Sequence, residues 1–301
     1  MNAAMGKKSV GVIGLGAMGM GVAMSLLRAG FRVYACDVRP EAVQAVVDAG
    51  GVAAESPAAM APQVDVLITV VVNADQTETV LFGEKGAAQY LKPGSVVIAS
   101  ATVSPEFAKL LGKRLAEAGL LMIDGPISGG AAKAMAGEMT VMSSGVPEAY
   151  AKCEDVLDAI AGKVYRLGNE VGPGSVVKMV NQLLAGVHIA AAGEAMALAI
   201  RAGADPDLVY EVITNSAGNS WMFQNRVPHV LAGNYKPLSA VNIFVKDLGI
   251  VLDYAKKAVF PLPLSASAHQ MYMSASAAGY GGEDDSAVIK VFPGIRLPKS
   301  K

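Results

Sequence analysis

Short apolar runs rich in β-branched residues recur through the first half of the chain, at residues 10–13, 31–36, 65–72, 95–99, 120–123 and 139–142, with a further run at 164–167. Segments with helical spacing separate most of them, at 20–29, 40–49, 74–80 and 105–118. Strand-length runs alternating with helices predict an α/β domain, a mostly parallel sheet covered by helices on both faces. The pattern changes after Gly172. Residues 175–202 read as one long helix rich in Ala, Leu and Met, and helical segments follow at 205–215, 240–257, 265–278 and 286–291. The second half is therefore expected to be all-helical. The Gly- and Pro-containing stretch 168–174 marks the boundary, giving domains at 1–168 and 169–301.

Composition narrows the class without changing that division. Hydrophobic residues make up 52% of the 301 positions and charged residues 17%, enough to build large cores. A net charge of −1 gives a nucleic-acid partner no electrostatic support. Cys36 and Cys153 share no metal-ligand spacing and fall in an expected strand and helix, so both read as reduced packing residues of a cytoplasmic protein. His188, His229 and His269 show no ligand spacing either, and no metal is expected. Residues 1–8 contain no long apolar region, which argues against a signal peptide. His188 and Glu194 interrupt the apolar segment 183–200, which reads as a buried helix rather than a membrane span. The Pro/Lys-rich tail after Phe292 is expected to fray.

The first strand run feeds into Gly14-Leu15-Gly16-Ala17-Met18-Gly19 and then into a helix. Gly14 suits the tight turn, Gly16 lets an anion approach the backbone, and Gly19 lets helix and strand pack closely. The helix N-terminus offers unpaired N–H groups to a pyrophosphate. Asp37 ends the second run, where ribose hydroxyls would be held. Together these predict a Rossmann-type domain binding NAD, with Asp37 disfavouring a 2′-phosphate and Arg39 as a competing signal for NADP. Asn73 and Thr102 leave later strands at the ligand end. Gly129 and Gly130 free successive N–H groups to form, with the Ser128 hydroxyl, a nest for a carboxylate. Lys178, Asn181 and Gln182 stand at i, i+3 and i+4 on one helix face among apolar neighbours. A buried lysine is expected to shift its pKa down or find a partner, and one tuned toward neutrality can move a proton near neutral pH.

GLGAMG, DGPISGG, GPGSVVKMVNQ and Lys246-Asp-Leu-Gly249 resemble, in order, the four signature regions of the β-hydroxyacid dehydrogenase family, over residues 10–292. The resemblance implies an N-terminal Rossmann domain, a C-terminal helical domain and a dinucleotide cofactor. It implies cofactor contacts from residues 14–19, Thr102 and Lys246, a carboxylate site at Ser128, Gly129 and Gly130, Lys178 as the catalytic lysine, and a substrate-orienting Asn181. Gln182 stands where many members carry a second asparagine; it keeps the amide with a longer reach, and a substrate contact is expected of it. Residues 183–190, 214–223 and 283–290 are similar to members that oxidise a four-carbon sugar acid at C2, and Asn215, Asn219 and Ser220 are then candidates for the additional hydroxyls; the alternative for Asn219-Ser220 is a helix cap before Trp221. A small hydroxy acid, no nucleic acid or membrane, and a homo-oligomer are the partners implied. Tartronate semialdehyde reduction and 3-hydroxyisobutyrate-type oxidation are alternative activities. A non-catalytic dinucleotide sensor is the alternative of another class, though it would need neither Lys178 nor the nest.

Overall fold

The structure, a computed structural model, describes residues 8–298; most of the amino-terminal stretch expected to lack a signal, and the last residues of the tail, lie outside these. The chain runs β1 (Ser9–Ile13), α1 (Ala17–Arg28), β2 (Arg32–Cys36), α2 (Pro40–Asp48), β3 (Val52–Ala53), α3 (Pro57–Met60), β4 (Val66–Thr69), α4 (Ala74–Phe82), β5 (Val96–Ala99), α5 (Pro105–Glu117) and β6 (Leu121–Asp124). It continues through β7 (Ile127–Ser128), α6 (Gly130–Ala136), β8 (Met139–Ser143), α7 (Pro147–Ile160) and β9 (Ala161–Arg166). Helices α8 (Pro173–Arg201), α9 (Pro206–Thr214), α10 (Trp221–Leu231), α11 (Val241–Lys257) and α12 (Pro263–Ala275) complete it.

The chain divides into two compact units, the first through Lys178 and the second from Met179. The division falls inside α8, ten residues beyond the 168/169 position read from the sequence. The reason is a set of buried hydrogen bonds that tie the first turn of α8 to the first unit, described below.

In the first unit, six parallel strands pair in the order β3-β2-β1-β4-β5-β6. The order reverses beside β1, where such sheets leave a ligand crevice at the carboxyl ends of the strands. Both faces are buried, as a parallel sheet requires. Val10, Val12, Val66, Ile68, Val96 and Ile98 contribute to one core. Leu67, Val97 and Ala99 point the other way, into a second core with Met60, Leu81, Leu111 and Leu115. The runs at 139–142 and 164–167 do not extend the main sheet. They fall on β8 and β9 of a separate mixed sheet, β7-β8-β9, with β7 antiparallel and β9 parallel to β8. Pattern alone cannot separate the two sheets, because a buried strand looks the same in either.

In the second unit, α11 and α12 pack around Phe244, Leu248, Ala268 and Tyr272. A second cluster joins Phe223, Val227 and Val230 of α10 to Met196 and Ile289. Of helix α10 the sequence offered only a start, a cap before Trp221: Pro228 interrupts its pattern, yet sits inside the helix. Residues 286–291, expected to be α-helical, belong to a 3-10 segment, Asp285–Val291. The expectation that the chain frays after Phe292 is corrected up to residue 298. Phe292, Ile295 and Leu297 pack on the second cluster, and Arg201 donates to the Gly294 carbonyl at 3.1 Å.

Candidate active site

The turn between β1 and α1 uses its glycines for different reasons. Gly14 has φ +89°, and a Cβ there would lie 2.6 Å from the Val70 carbonyl oxygen. A Cβ on Gly19 would lie 1.8 Å from the Gly14 carbonyl oxygen. Both glycines are therefore required by the chain itself. Gly16 is not: its φ is −62°, and a Cβ there would meet nothing within 4 Å. It caps α1 without any side-chain hydrogen bond. The first N–H groups of a helix have no intrahelical partners, so open space and backbone donors coincide at Gly16, Ala17 and Met18, as a dinucleotide pyrophosphate requires. Helix α1 begins at Ala17, three residues before the expected start, because the glycines mask its first turn.

Asp37 lies just beyond the end of β2 and closes on this turn. Its Oδ2 accepts the Leu15 N–H at 2.5 Å, and its Oδ1 accepts Arg39 N–H at 2.8 Å and Arg39 Nε at 3.1 Å. Arg39 also donates to the Leu15 carbonyl at 2.9 Å. Burial pushes the Asp37 carboxyl up, but the bonds from the Arg39 side chain and the Leu15 and Arg39 amides outweigh it and hold the carboxyl below its ordinary value. Asn73, beyond β4, caps α4: its Oδ1 accepts Gln76 N–H at 2.8 Å. Thr102 is half-buried in the loop after β5. Ser104 is the cap of α5, accepting Phe107 N–H at 3.1 Å.

Ser128 ends β7, and Gly129 and Gly130 follow with φ +134° and +76°. Both angles favour glycine. A Cβ on Gly130 would meet nothing within 4 Å, so space is left in front of this turn. Helix α6 is held against α1. Ser25 Oγ donates to the Ala134 carbonyl at 2.9 Å, and Gly21 lies so close that a Cβ would come within 2.5 Å of Ala134.

Lys178 is 7% exposed and donates from Nζ to the Ile127 carbonyl oxygen at 2.9 Å. The residue after Ile127 is Ser128, so the amine stands beside the proposed carboxylate nest. What fixes it there is Asp124, 2% exposed, which the sequence reading left without a role. The Asp124 carboxylate accepts Ser175 N–H at 2.8 Å, Ser175 Oγ at 2.7 Å, Gly172 N–H at 3.1 Å and Ser144 Oγ at 3.3 Å. Gly174 lies so close that a Cβ would be 2.5 Å from the Met142 carbonyl oxygen. Asp124 thus caps α8 from another strand, and Lys178 follows Ser175 by three residues. Burial pushes the Asp124 carboxyl above its ordinary value despite these donors.

The remaining candidates lie in the second unit. Asn181 Nδ2 donates to Gln182 Oε1 at 2.9 Å, and Gln182 Nε2 donates to Asp247 Oδ2 at 2.6 Å. Asp247 Oδ1 pairs with Lys246 Nζ at 2.6 Å. Gln182 thus links Asn181 to Asp247 through the two ends of its amide. Asn219 Nδ2 donates to the Thr214 carbonyl at 3.1 Å, while its buried Oδ1 has no hydrogen-bond partner. Ser220, beside it, caps α10 by accepting Phe223 N–H at 3.0 Å.

The chain is similar to known proteins along nearly its whole length. Residues 9–168 match the NAD binding domain of 6-phosphogluconate dehydrogenase, and residues 172–292 match the NAD-binding domain of NADP-dependent 3-hydroxyisobutyrate dehydrogenase. The chain is 69% identical to an L-threonate dehydrogenase of Cupriavidus necator over 291 residues, 97% of this chain and 98% of the relative. It is 55% identical to an L-threonate dehydrogenase of Escherichia coli K12, covering 97% of each. The crystal structure of a 3-hydroxyisobutyrate dehydrogenase from Salmonella typhimurium superposes with a TM-score of 0.91 at 53% identity, covering 95% of this chain and all of that one. Matched by these domain families and alike to these relatives along nearly the whole chain, the protein belongs to the β-hydroxyacid dehydrogenase family, as an NAD(P)-dependent hydroxyacid dehydrogenase related to 3-hydroxyisobutyrate dehydrogenase.

Proposed function

We propose that this dehydrogenase oxidises L-threonate at C2 to 2-oxo-tetronate (2-dehydro-L-erythronate) with NAD. The observation that carries the mechanism is the Lys178 Nζ bond to the Ile127 carbonyl, one residue before Ser128. A carboxylate accepted by the Ser128 hydroxyl and the backbone N–H groups of Gly129 and Gly130 is thereby set beside an amine. Lys178, in its neutral form, takes the proton of the C2 hydroxyl as the C2–H bond breaks. When bound, the nicotinamide supplies the acceptor for the hydride leaving C2. The proton on Lys178 then passes to solvent, and the 2-oxo acid remains. A positioned acid–base group of this kind contributes ~10²–10⁴-fold to rate. Residues 14–19 would hold the pyrophosphate, Asp37 the ribose hydroxyls, and Asn73, Thr102 and Lys246 further parts of the cofactor.

The substrate rests on the L-threonate dehydrogenases at 55–69% identity. The choice of NAD rests on Asp37, whose carboxylate would repel a 2′-phosphate; Arg39 is bonded to that carboxylate and to Leu15 rather than left available. Reduced-cofactor formation with L-threonate, D-erythronate, D-glycerate and 3-hydroxyisobutyrate, each with NAD and NADP, tests both points. The highest kcat/KM is expected for L-threonate with NAD. A higher value for 3-hydroxyisobutyrate would favour the activity named for the Salmonella structure instead, and a higher value with NADP would remove the role given to Asp37.

A further inference from the structure

The four side chains Asn181, Gln182, Asp247 and Lys246 form one continuous chain of contacts, and its direction is set from one end. Asp247 is 2% exposed and paired with the Lys246 ammonium. A carboxylate only accepts hydrogen bonds. Gln182 must therefore turn its Nε2 toward Asp247, because the reverse orientation would place Oε1 against the carboxylate at the observed 2.6 Å. With Nε2 committed, Gln182 offers only Oε1 to Asn181, so Asn181 must donate from Nδ2 across the 2.9 Å contact. That leaves Oδ1 and the second Nδ2 hydrogen as the parts of the Asn181 amide it can present to a ligand. Asn181 is half-buried and follows Lys178 by three residues on the same helix face.

We propose that Gln182 is a positioning residue that, with Asp247 and Lys246, fixes the Asn181 amide with its acceptor outward, so that Asn181 selects a substrate hydroxyl. The inference rests on the hydroxy-acid reading above and deepens it. An outward acceptor makes no hydrogen bond with a methyl group, but takes the proton of an alcohol. It therefore favours a polyhydroxy acid carrying a hydroxyl beyond the reacting carbon over the same carbon skeleton without one. Asparagine alone can present either end of its amide; the buried ion pair behind Gln182 removes that freedom.

The test replaces Gln182 by a side chain of similar length that cannot relay direction, Gln182→Met, and compares L-threonate with 2-hydroxybutyrate, the same four-carbon acid lacking the C3 and C4 hydroxyls. The unaltered enzyme is expected to prefer L-threonate. In Gln182→Met, kcat/KM for L-threonate should fall about tenfold or more, mainly through KM, while that for 2-hydroxybutyrate changes less than about threefold. The ratio of the two values is independent of the fraction of enzyme that folds, so a merely structural loss, which lowers both alike, overturns the assignment. So does a ratio unchanged by the substitution, or an unaltered enzyme with no preference for the hydroxylated acid. If the unaltered enzyme oxidises neither acid, the substrate reading fails and the relay falls with it; if it oxidises L-threonate and only the ratio fails to move, the relay alone is wrong.

Discussion

Two parts of the first unit are built by opposite means for the roles proposed for them. The turn after β1 works through missing side chains: Gly14 and Gly19 let the backbone fold back on itself, and Gly16 leaves open space. The start of α8 works through buried side chains: Asp124, Ser175 and Lys178 are each at most 7% exposed and hydrogen-bonded. A pyrophosphate is large and already charged, so binding it needs room and oriented N–H dipoles. A proton acceptor must instead be held at one position in a poorly solvated place, which takes partners that fix it.

The largest effect expected from breaking this contrast is on rate. Lys178→Ala should lower kcat by ~10²-fold or more while changing the cofactor Kd little; steady-state kinetics and a cofactor titration measure the two separately, and a loss of less than about tenfold would reject Lys178 as the acid–base group. On stability, Gly19→Ala should cost about 3 kcal/mol, because its Cβ would overlap the Gly14 carbonyl and neither backbone can move freely. Denaturant melts at equilibrium give that value. Asp124→Ala should cost about as much, since it leaves the buried Ser175 and Gly172 donors unpaired. It should also reduce kcat in the protein that remains folded, because the first turn of α8 loses its anchor; an undiminished kcat would show that Lys178 needs no such anchor.

Gly16→Ala sharpens the comparison from the other side. The melting temperature should stay within a few degrees, yet the cofactor Kd should rise about tenfold, because the methyl group would occupy space that only a ligand fills. Equal losses of stability and affinity would place Gly16 with Gly14 and Gly19. The smallest effect is a pH dependence. Asp37 is held below its ordinary value of 3.8, so its stabilising contribution is complete above that value and is lost as pH falls through the lowered one. The stability gap between the unaltered protein and Asp37→Asn should be widest near pH 7 and close as the solution is acidified below about pH 4. A gap that grows on acidification would reverse the assigned sign.

Much of this was legible from spacing. The alternation of strand and helix, the glycine turn, Asp37, the nest at 128–130 and the face carrying Lys178, Asn181 and Gln182 all follow from local pattern. Asp124 was not legible as an anchor, since its partners at 172 and 175 are reached only by folding. The bond from Gln182 to Asp247 was not legible either, because an amide's partners depend on what lies opposite, and Asp247 is 65 positions away. The body of helix α10 was missed because Pro228 breaks the local pattern while Phe223, Val227 and Val230 are held by packing.

The amino-acid sequence by itself determined which segments become strands and helices and where glycine replaces a side chain, because backbone sterics and hydrophobic periodicity act between near neighbours. Only the tertiary structure decided which strands share a sheet, what anchors the first turn of α8, and which end of each amide faces outward. Those outcomes depend on buried hydrogen bonds between residues far apart in the chain, whose cost when left unmade is set by the surroundings they are buried in.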